Sequence, residues 1–339
     1  MQASTRPLTG HRPSGIGPRG SWSRLALALM HAEPAEPVTL EPVEDPLGDD
    51  DLHLALYLCY ELHYRGLTGV DDSREWDPRL LELRLAMETA FLDALPERSP
   101  DGAIAADDVG EGIRGIAGSA DTGPLAGYLE RDADVEQMSE FLIHRSAYQL
   151  KEADPHSWAI PRLEGPTKSA LVEIQYDEYG SGDAAWMHAE LFRRTLTSFG
   201  LDGRYGAYVD RLPGTTLATV NLVSLFGLHR RWRGALLGHL ALFEMTSAIP
   251  NRAYGNGLRR LGFGEETTRF FDEHVEADSL HEVLANDLAV DFARREPELA
   301  ADVLFGARCL DELEARFSRS LLDAWAAGRS SLLVPADER

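Results

Sequence analysis

The sequence His274-Val-Glu-Ala-Asp278-Ser-Leu-His281 places two imidazoles and a carboxylate at positions i, i+4 and i+7. In an α-helix each residue turns by roughly 100°, so these side chains project within about 60° of one another. All three can therefore face one point inside a helical bundle, where such groups hold transition metals. A solvated polar helix face would show the same local pattern. A metal site thus requires further ligands from other helices.

The chain around this stretch has the hydrophobic spacing of consecutive α-helices. We predict helices at 134–153, 166–198, 214–248, 255–284, 286–304 and 308–327, and no alternating strand of useful length. Prolines fall at the predicted joints, where a missing amide donor is tolerated. They are Pro161, Pro166, Pro213, Pro250 and Pro297. The sequence therefore predicts an all-α protein.

Two further candidate ligands, Glu178 and His188, lie on the predicted helix 166–198. Ten residues separate them, which on a regular helix leaves the side chains about 80° apart. The intervening Gly180-Ser-Gly182 predicts a kink or bulge that could bring them together.

Spacing alone does not decide whether several other polar residues could be metal ligands. Glu152, Asp154 and His156 lie together at the end of an earlier helix, and each could supply a ligand. His239 and Glu244, on the predicted helix 214–248, could form hydrogen bonds that orient the metal ligands. For these two residues we expect buried, hydrogen-bonded polar pairs.

The chain divides by composition into three regions. Residues 1–45 are rich in Pro, Gly, Ser and Arg and predict a disordered tail. Residues 46–122 predict a helical hairpin over 51–95, with a polar break at 66–73, and a Gly- and Asp-rich linker after it. Residues 123–332 form the larger helical domain.

Net charge and cysteine content narrow the classes of partner. The 33 Lys and Arg against 56 Asp and Glu give a net charge of −23, which repels nucleic acids and anionic membrane surfaces. The two cysteines, Cys59 and Cys309, cannot form a disulfide framework. The longest apolar run near the N-terminus is too short to cross a membrane. We expect a cytoplasmic protein that binds neither nucleic acid nor membrane.

Together these residues resemble the haem-oxygenase-like di-iron oxidases and oxygenases, also described as iron-containing redox enzymes. That family has a Glu on its first core helix, a Glu and a His around the second, and His-x3-Asp-x2-His on the third. The resemblance implies the ligand set Glu152, Glu178, His188, His274, Asp278 and His281. Their intervals of 26, 10, 86, 4 and 3 residues are similar to those of an N-hydroxylating family member. Glu152 is thereby chosen over its two neighbours.

The resemblance implies a haem-oxygenase-like helical bundle that binds two Fe2+ ions and uses O2 as co-substrate. It also implies N-oxygenation of a small, nitrogen-containing, amino-acid-like metabolite through a peroxo-diferric intermediate, with an external electron donor. Desaturation or C–C cleavage of an amino or fatty acid would use the same ligands, and a non-catalytic helical binding protein is a further alternative. The hairpin is similar to the family's N-terminal dimerisation region and implies a homodimer.

Overall fold

The computed structural model describes residues 12–32, 39–100, 102, 104–119 and 123–334, except the side chains of 123 and 276–280. These ranges contain no strand, which confirms the all-α prediction, and no helix long and apolar enough to cross a membrane. Their thirteen α-helices are α1 (Ser21–Met30), α2 (Asp50–Glu61), α3 (Pro78–Ala94), α4 (Val109–Ser119), α5 (Gly123–Arg131), α6 (Val135–Gln149), α7 (Asp154–Ser157), α8 (Gly165–Glu178), α9 (His188–Phe199), α10 (Gly214–Leu228), α11 (Arg233–Arg260), α12 (Glu265–Arg295) and α13 (Ala300–Ala326).

Local sequence sets where several of these helices begin. Asp49 accepts hydrogen bonds from two backbone amides in the first turn of α2, and Asp134 forms a capping box with Gln137 at the start of α6. Pro166 lies in the first turn of α8, and Pro213 immediately precedes α10. Capping side chains and prolines satisfy or remove amide donors that have no partner within the helix.

The helix boundaries beyond residue 229 differ from the prediction. One helix, α12, spans Glu265–Arg295 where we expected a break near residue 285, and α11 ends before Gly262, whose φ of 91° favours glycine. Pro250 lies inside α11 rather than at a joint. Asn251 and Tyr254 are buried just after it, so packing continues across the proline and offsets its cost of about 3 kcal/mol.

Part of the predicted disordered tail is helical, since Ser21–Met30 forms α1. Residues 1–11 and 33–38 of that predicted tail lie outside the described residues. Within α1, Ala26, Leu29 and Met30 are buried. The Asp51 carboxylate of α2 accepts hydrogen bonds from the backbone amides of Trp22 and Ser23 at 2.8 and 2.9 Å. This cap comes from a residue distant in sequence, so the local pattern did not reveal it.

The predicted linker also contains a helix, α4. A Cβ atom added to Gly110 would lie 2.9 Å from Val290, and one added to Gly112 would lie 2.8 Å from Leu304. These glycines therefore allow close packing of α4 on α12 and α13, whereas the sequence had suggested a flexible connection.

Helix α11 is the centre of the larger helical region and packs against both α12 and α13. A Cβ on Gly238 would lie only 1.8 Å from the Val303 carbonyl oxygen, and one on Gly306 only 1.9 Å from that of Ala235. Glycine thus sets how closely α11 and α13 approach.

The structure has helices α2 and α3 in the region of the predicted hairpin, and α2 packs on α10 within the hydrophobic core.

We predict that Gly238→Ala destabilises the protein by about 1–3 kcal/mol, because the methyl group would force α11 and α13 apart. Urea unfolding followed by circular dichroism measures the change. Gly115→Ala in α4 is the matched control, since nothing lies within 4 Å of its added Cβ. Equal stability of the two variants would contradict this account of the α11–α13 contact.

Candidate metal centre

Four helices bring Glu152, Glu178, His188 and His274 together. Glu152 follows the end of α6, Glu178 ends α8, His188 begins α9, and His274 lies within α12. We predicted a kink or bulge at Gly180–Gly182 within one helix over 166–198, but the helix is fully interrupted there, and all three residues have positive φ angles. Because α8 and α9 are separate helices, Glu178 and His188 can converge despite their ten-residue spacing.

Ligand-type atoms of these four residues lie within 4.8 Å of one another, and all four residues are buried. Nδ1 of His188 lies 2.9 Å from Oε2 of Glu178, and Nε2 of His274 lies 3.5 Å from Oε1 of Glu152. Such spacing suits donors around one metal ion, since metal–ligand bonds to nitrogen and oxygen are roughly 2.0–2.2 Å long.

A second group consists of Glu178, Glu244 and His281, whose ligand-type atoms also lie within 4.8 Å of one another. Nδ1 of His281 is 3.4 Å from Oε2 of Glu244. Glu178 belongs to both groups. Its carboxylate could therefore bridge two ions.

Outer hydrogen bonds orient two of the imidazoles. Nδ1 of His274 donates to the Phe270 carbonyl oxygen at 2.8 Å, which directs the lone pair of Nε2 toward Glu152. Nε2 of His281 donates to Oδ2 of Asp177 at 3.2 Å, which directs Nδ1 toward Glu244. Such bonds select the tautomer of a metal-binding histidine.

Several buried atoms of the two groups lack a well-aligned hydrogen bond with any described residue. Oε2 of Glu152 is one of them. Oε2 of Glu178 and Nδ1 of His188 contact each other at 2.9 Å, and Nδ1 of His281 contacts Glu244 at 3.4 Å, but these pairs do not have the alignment of hydrogen bonds. Buried polar atoms are normally satisfied, because leaving one unpaired costs about 1–3 kcal/mol. Metal ions would satisfy these donors, and the mixed nitrogen and oxygen set suits iron.

In the metal-free protein, the site holds protons that metal ions would replace. Burial alone would raise the pKa of Glu178, but the charges of His188, His274 and His281 outweigh it and lower this pKa to about 2. Burial would lower the pKa of His281, yet Glu244, Asp177 and Glu178 raise it to about 9. The carboxylates thus stabilise positive charge at this position.

The structure gathers five of the six predicted ligands: Glu152, Glu178, His188, His274 and His281. Asp278 is the sixth, and its side chain lies outside the described residues. Their role as ligands stays a prediction. The two neighbours of Glu152 are engaged elsewhere, since Asp154 accepts a hydrogen bond from Tyr179 and His156 contacts His239.

Sequence reasoning missed Glu244, which we expected in a buried hydrogen-bonded pair and which instead joins the second ligand group. The sequence feature that could have indicated a buried role for Glu244 is that it follows the largely apolar stretch Ala235–Phe243. Asp177, the partner of His281, was also missed. No local signal distinguishes Asp177 from other acidic residues on the surface.

We predict that Glu244→Gln lowers affinity at the second ion position by about tenfold or more, because it replaces an anionic donor with a neutral amide. Metal titration with Co2+, followed by absorbance, should show one of two ions weakened. Glu282→Gln is the control, since this exposed residue follows His281. Equal Co2+ affinity in the Glu244 and Glu282 variants would exclude Glu244 as a ligand.

We also predict that Co2+ affinity rises with pH toward about 9. The raised pKa of His281 means that at neutral pH its proton must be displaced by the metal. Each displaced proton makes affinity fall roughly tenfold per unit as pH decreases below that pKa. Titrations at about pH 6.5, 7.5 and 8.5 measure this slope. A flat profile would contradict the assignment.

Comparison with known proteins agrees with the fold and the site. Residues 139–315 match a family described as iron-containing redox enzymes. The chain is 28% identical over 173 residues to a nitrosourea synthase from Streptomyces achromogenes subsp. streptozoticus, a match that covers 50% of this chain and 36% of that protein. The chain thus matches little more than a third of this relative.

A crystal structure from Shewanella denitrificans OS217, of a domain of unknown function with a haem-oxygenase-like fold, has a TM-score of 0.51 and 14% identity. It covers 67% of this chain and 94% of that one, and this likeness supports the fold alone. The family match shows more than the fold, because it covers 177 of the 339 residues. The protein belongs to the iron-containing redox enzyme family and has a haem-oxygenase-like fold.

Proposed function

We propose that the protein is a non-haem di-iron oxygenase that uses O2 to N-oxygenate a small nitrogenous metabolite. The observation that carries the proposal is the pair of buried ligand groups that share Glu178. Helical bundles build di-iron sites from carboxylates and histidines on facing helices. When bound, two Fe2+ ions would supply the redox chemistry that activates O2.

Charge balance supports this assignment. The described ligand groups contain three carboxylates, those of Glu152, Glu178 and Glu244. With Asp278, which we propose as a further ligand, four anions would offset the four positive charges of two Fe2+ ions. Burial of an uncompensated charge is expensive, so near-neutrality favours occupancy by two ions.

The protein residues would have separate tasks. Glu178 would link the two ion positions, while His188, His274 and His281 would set their places. Asp177 and the Phe270 carbonyl would hold two of these imidazoles in the metal-binding tautomer. The buried surroundings would limit the access of water, which suppresses side reactions.

The proposed reaction inserts one oxygen atom of O2 into an N–H bond and reduces the other to water. Two electrons from an external donor and two protons balance the equation. Support for reaction at nitrogen comes from the nitrosourea synthase relative, because a nitrosourea carries an N–O bond. Desaturation would remove hydrogen from the substrate and add no oxygen.

We predict uptake of about two Fe2+ ions per chain under anaerobic conditions and a transient visible absorbance after mixing with O2. Iron analysis and stopped-flow spectroscopy measure these quantities. His281→Ala should retain about one ion and lose the transient, because it removes a donor from the second group. An absence of iron uptake by the wild-type chain would instead favour a non-catalytic binding protein.

The site of oxygen insertion can be tested with 18O2. Amines and guanidines that accelerate decay of the transient absorbance are first selected as candidate substrates. Mass spectrometry should then find one 18O atom bonded to nitrogen in the product. A product that has lost two hydrogens and contains no 18O would contradict N-oxygenation and indicate desaturation.

A further inference from the structure

A cavity of about 500 Å³ lies between the start of α8, the start of α11 and the end of α12. Small-molecule sites in proteins commonly have volumes of about 300–1,000 Å³. None of the candidate metal ligands lines this cavity. We call it the arginine cavity, because its lining includes Arg162, Arg230, Arg233 and Arg295.

The four arginines come from segments that are distant in sequence. Arg162 lies between α7 and α8, and Arg230 lies between α10 and α11. Arg233 begins α11, and Arg295 ends α12. Only the tertiary structure brings these side chains to one cavity.

Hydrogen bonds fix the position of Arg162 in this arrangement. Its two terminal nitrogens donate to the carbonyl oxygens of Gly227 and Leu228, at the end of α10. These bonds hold the segment before α8 against the connection that carries Arg230. They use two of the five N–H groups of the Arg162 guanidinium, so further donors remain for a ligand.

Two of the four guanidinium groups have anionic partners within the protein. Nε of Arg233 donates to Oε1 of Glu296 at 3.2 Å, and Nε of Arg295 donates to Oδ2 of Asp291 at 2.8 Å. These pairs keep both side chains at the wall of the cavity, and the carboxylates compensate their charge.

Arg162 and Arg230 have no carboxylate partner among the residues that the structure describes. Arg162 is bonded to neutral carbonyl oxygens, which accept its N–H groups but do not cancel its charge. Arg230 is exposed, and its side chain forms no hydrogen bond or ion pair within the described ranges. The cavity thus presents two positive charges without an anionic partner.

These positive charges act on one another. Burial lowers the pKa of Arg162, and the charges of Arg230 and Arg233 lower this pKa further. Like charges that lie close together are unfavourable, and an anion between them would relieve the repulsion.

The charge of the cavity is opposite to that of the whole chain, whose net charge is −23. Four arginines line the cavity, against the two carboxylates of Glu164 and Glu296. Most of the surface would repel an anion, whereas this cavity would attract one. The local excess of arginine is therefore a specific feature of this cavity.

The arginine cavity is also remote from the candidate metal centre. Arg295 follows His281 by fourteen residues on α12, which corresponds to roughly 21 Å at 1.5 Å per residue. A small molecule bound between the arginines would therefore lie outside the two ligand groups.

We propose that the arginine cavity binds a small molecule that carries a phosphate group. The two uncompensated guanidinium groups match the charge of about −2 on a phosphate monoester at neutral pH. Guanidinium groups also match the geometry of phosphate oxygens. Arg162 and Arg230 contact the phosphate, while Arg233 and Arg295 add positive charge at the wall. A carboxylate ligand would compensate only one of the two charges.

Calorimetric titration of the full chain with phenyl phosphate and with benzoate tests this choice of anion. The titrations are made at constant ionic strength and before iron is added, because phosphates chelate iron. Phenyl phosphate should bind at least about tenfold more tightly than benzoate, since it carries roughly twice the charge. No binding of phenyl phosphate, or equal affinity for benzoate, would overturn the proposal.

Arg230→Gln tests the location of the site. It should weaken binding of phenyl phosphate by about tenfold, the usual effect of losing one charged hydrogen bond. The fold should be kept, because the Arg230 side chain is exposed. Arg231→Gln is the matched control, since Arg231 is exposed as well, lies over the Trp232 ring and does not line the cavity. Equal affinities in these two variants would contradict the assignment.

Glu164→Gln should have an effect of opposite sign. Glu164 is an exposed carboxylate that lines the cavity and would repel a phosphate. Its neutralisation should raise the affinity for phenyl phosphate by roughly two- to threefold, because solvent and salt screen the repulsion. Glu173→Gln is the control, since Glu173 is exposed on the same helix and lies outside the cavity. An unchanged or lower affinity in Glu164→Gln would place the phosphate elsewhere.

Discussion

Glu178 belongs to two groups of buried carboxylates and imidazoles that could hold metal ions, and the surrounding structure must compensate the charge of these side chains. Carboxylates and imidazoles are costly to bury unless protons, hydrogen bonds or metal ions neutralise them. Here hydrogen bonds occupy the outer nitrogens of His274 and His281. The inner atoms of the same site are left facing one another, which is the arrangement that metal ions would stabilise.

A few backbone features allow the helices to bring these side chains together. The break at Gly180–Gly182 separates α8 from α9 and lets Glu178 and His188 approach each other. Glycine contacts at Gly238 and Gly306 let α13 pack closely against α11, the helix that carries Glu244 of the second ligand group. These close contacts explain why glycine, usually unfavourable within helices, occurs inside both.

Shared helices present different faces to the candidate metal centre and to the space beside it. On α11, Glu244 joins the ligand groups, while its near neighbour Leu242 lines a separate cavity. Arg145 and Gln149 of α6 line that same cavity, whereas Glu152, which follows α6, belongs to the candidate metal centre.

The sequence by itself determined the helical class, since helical periodicity is a local property, and its spacing indicated Glu178, His188, His274 and His281 as candidate ligands. The choice of Glu152 over Asp154 and His156 came only from the resemblance to the family. The sequence also indicated a kink or bulge between Glu178 and His188, because glycine pairs permit such distortions, but not the full interruption that separates α8 from α9. Only the tertiary structure decided that Glu244 joins His281, that Asp51 caps α1, and that Pro250 lies within α11. Each of these depends on contacts between residues distant in sequence, whose energies outweigh the local preferences that a sequence pattern expresses.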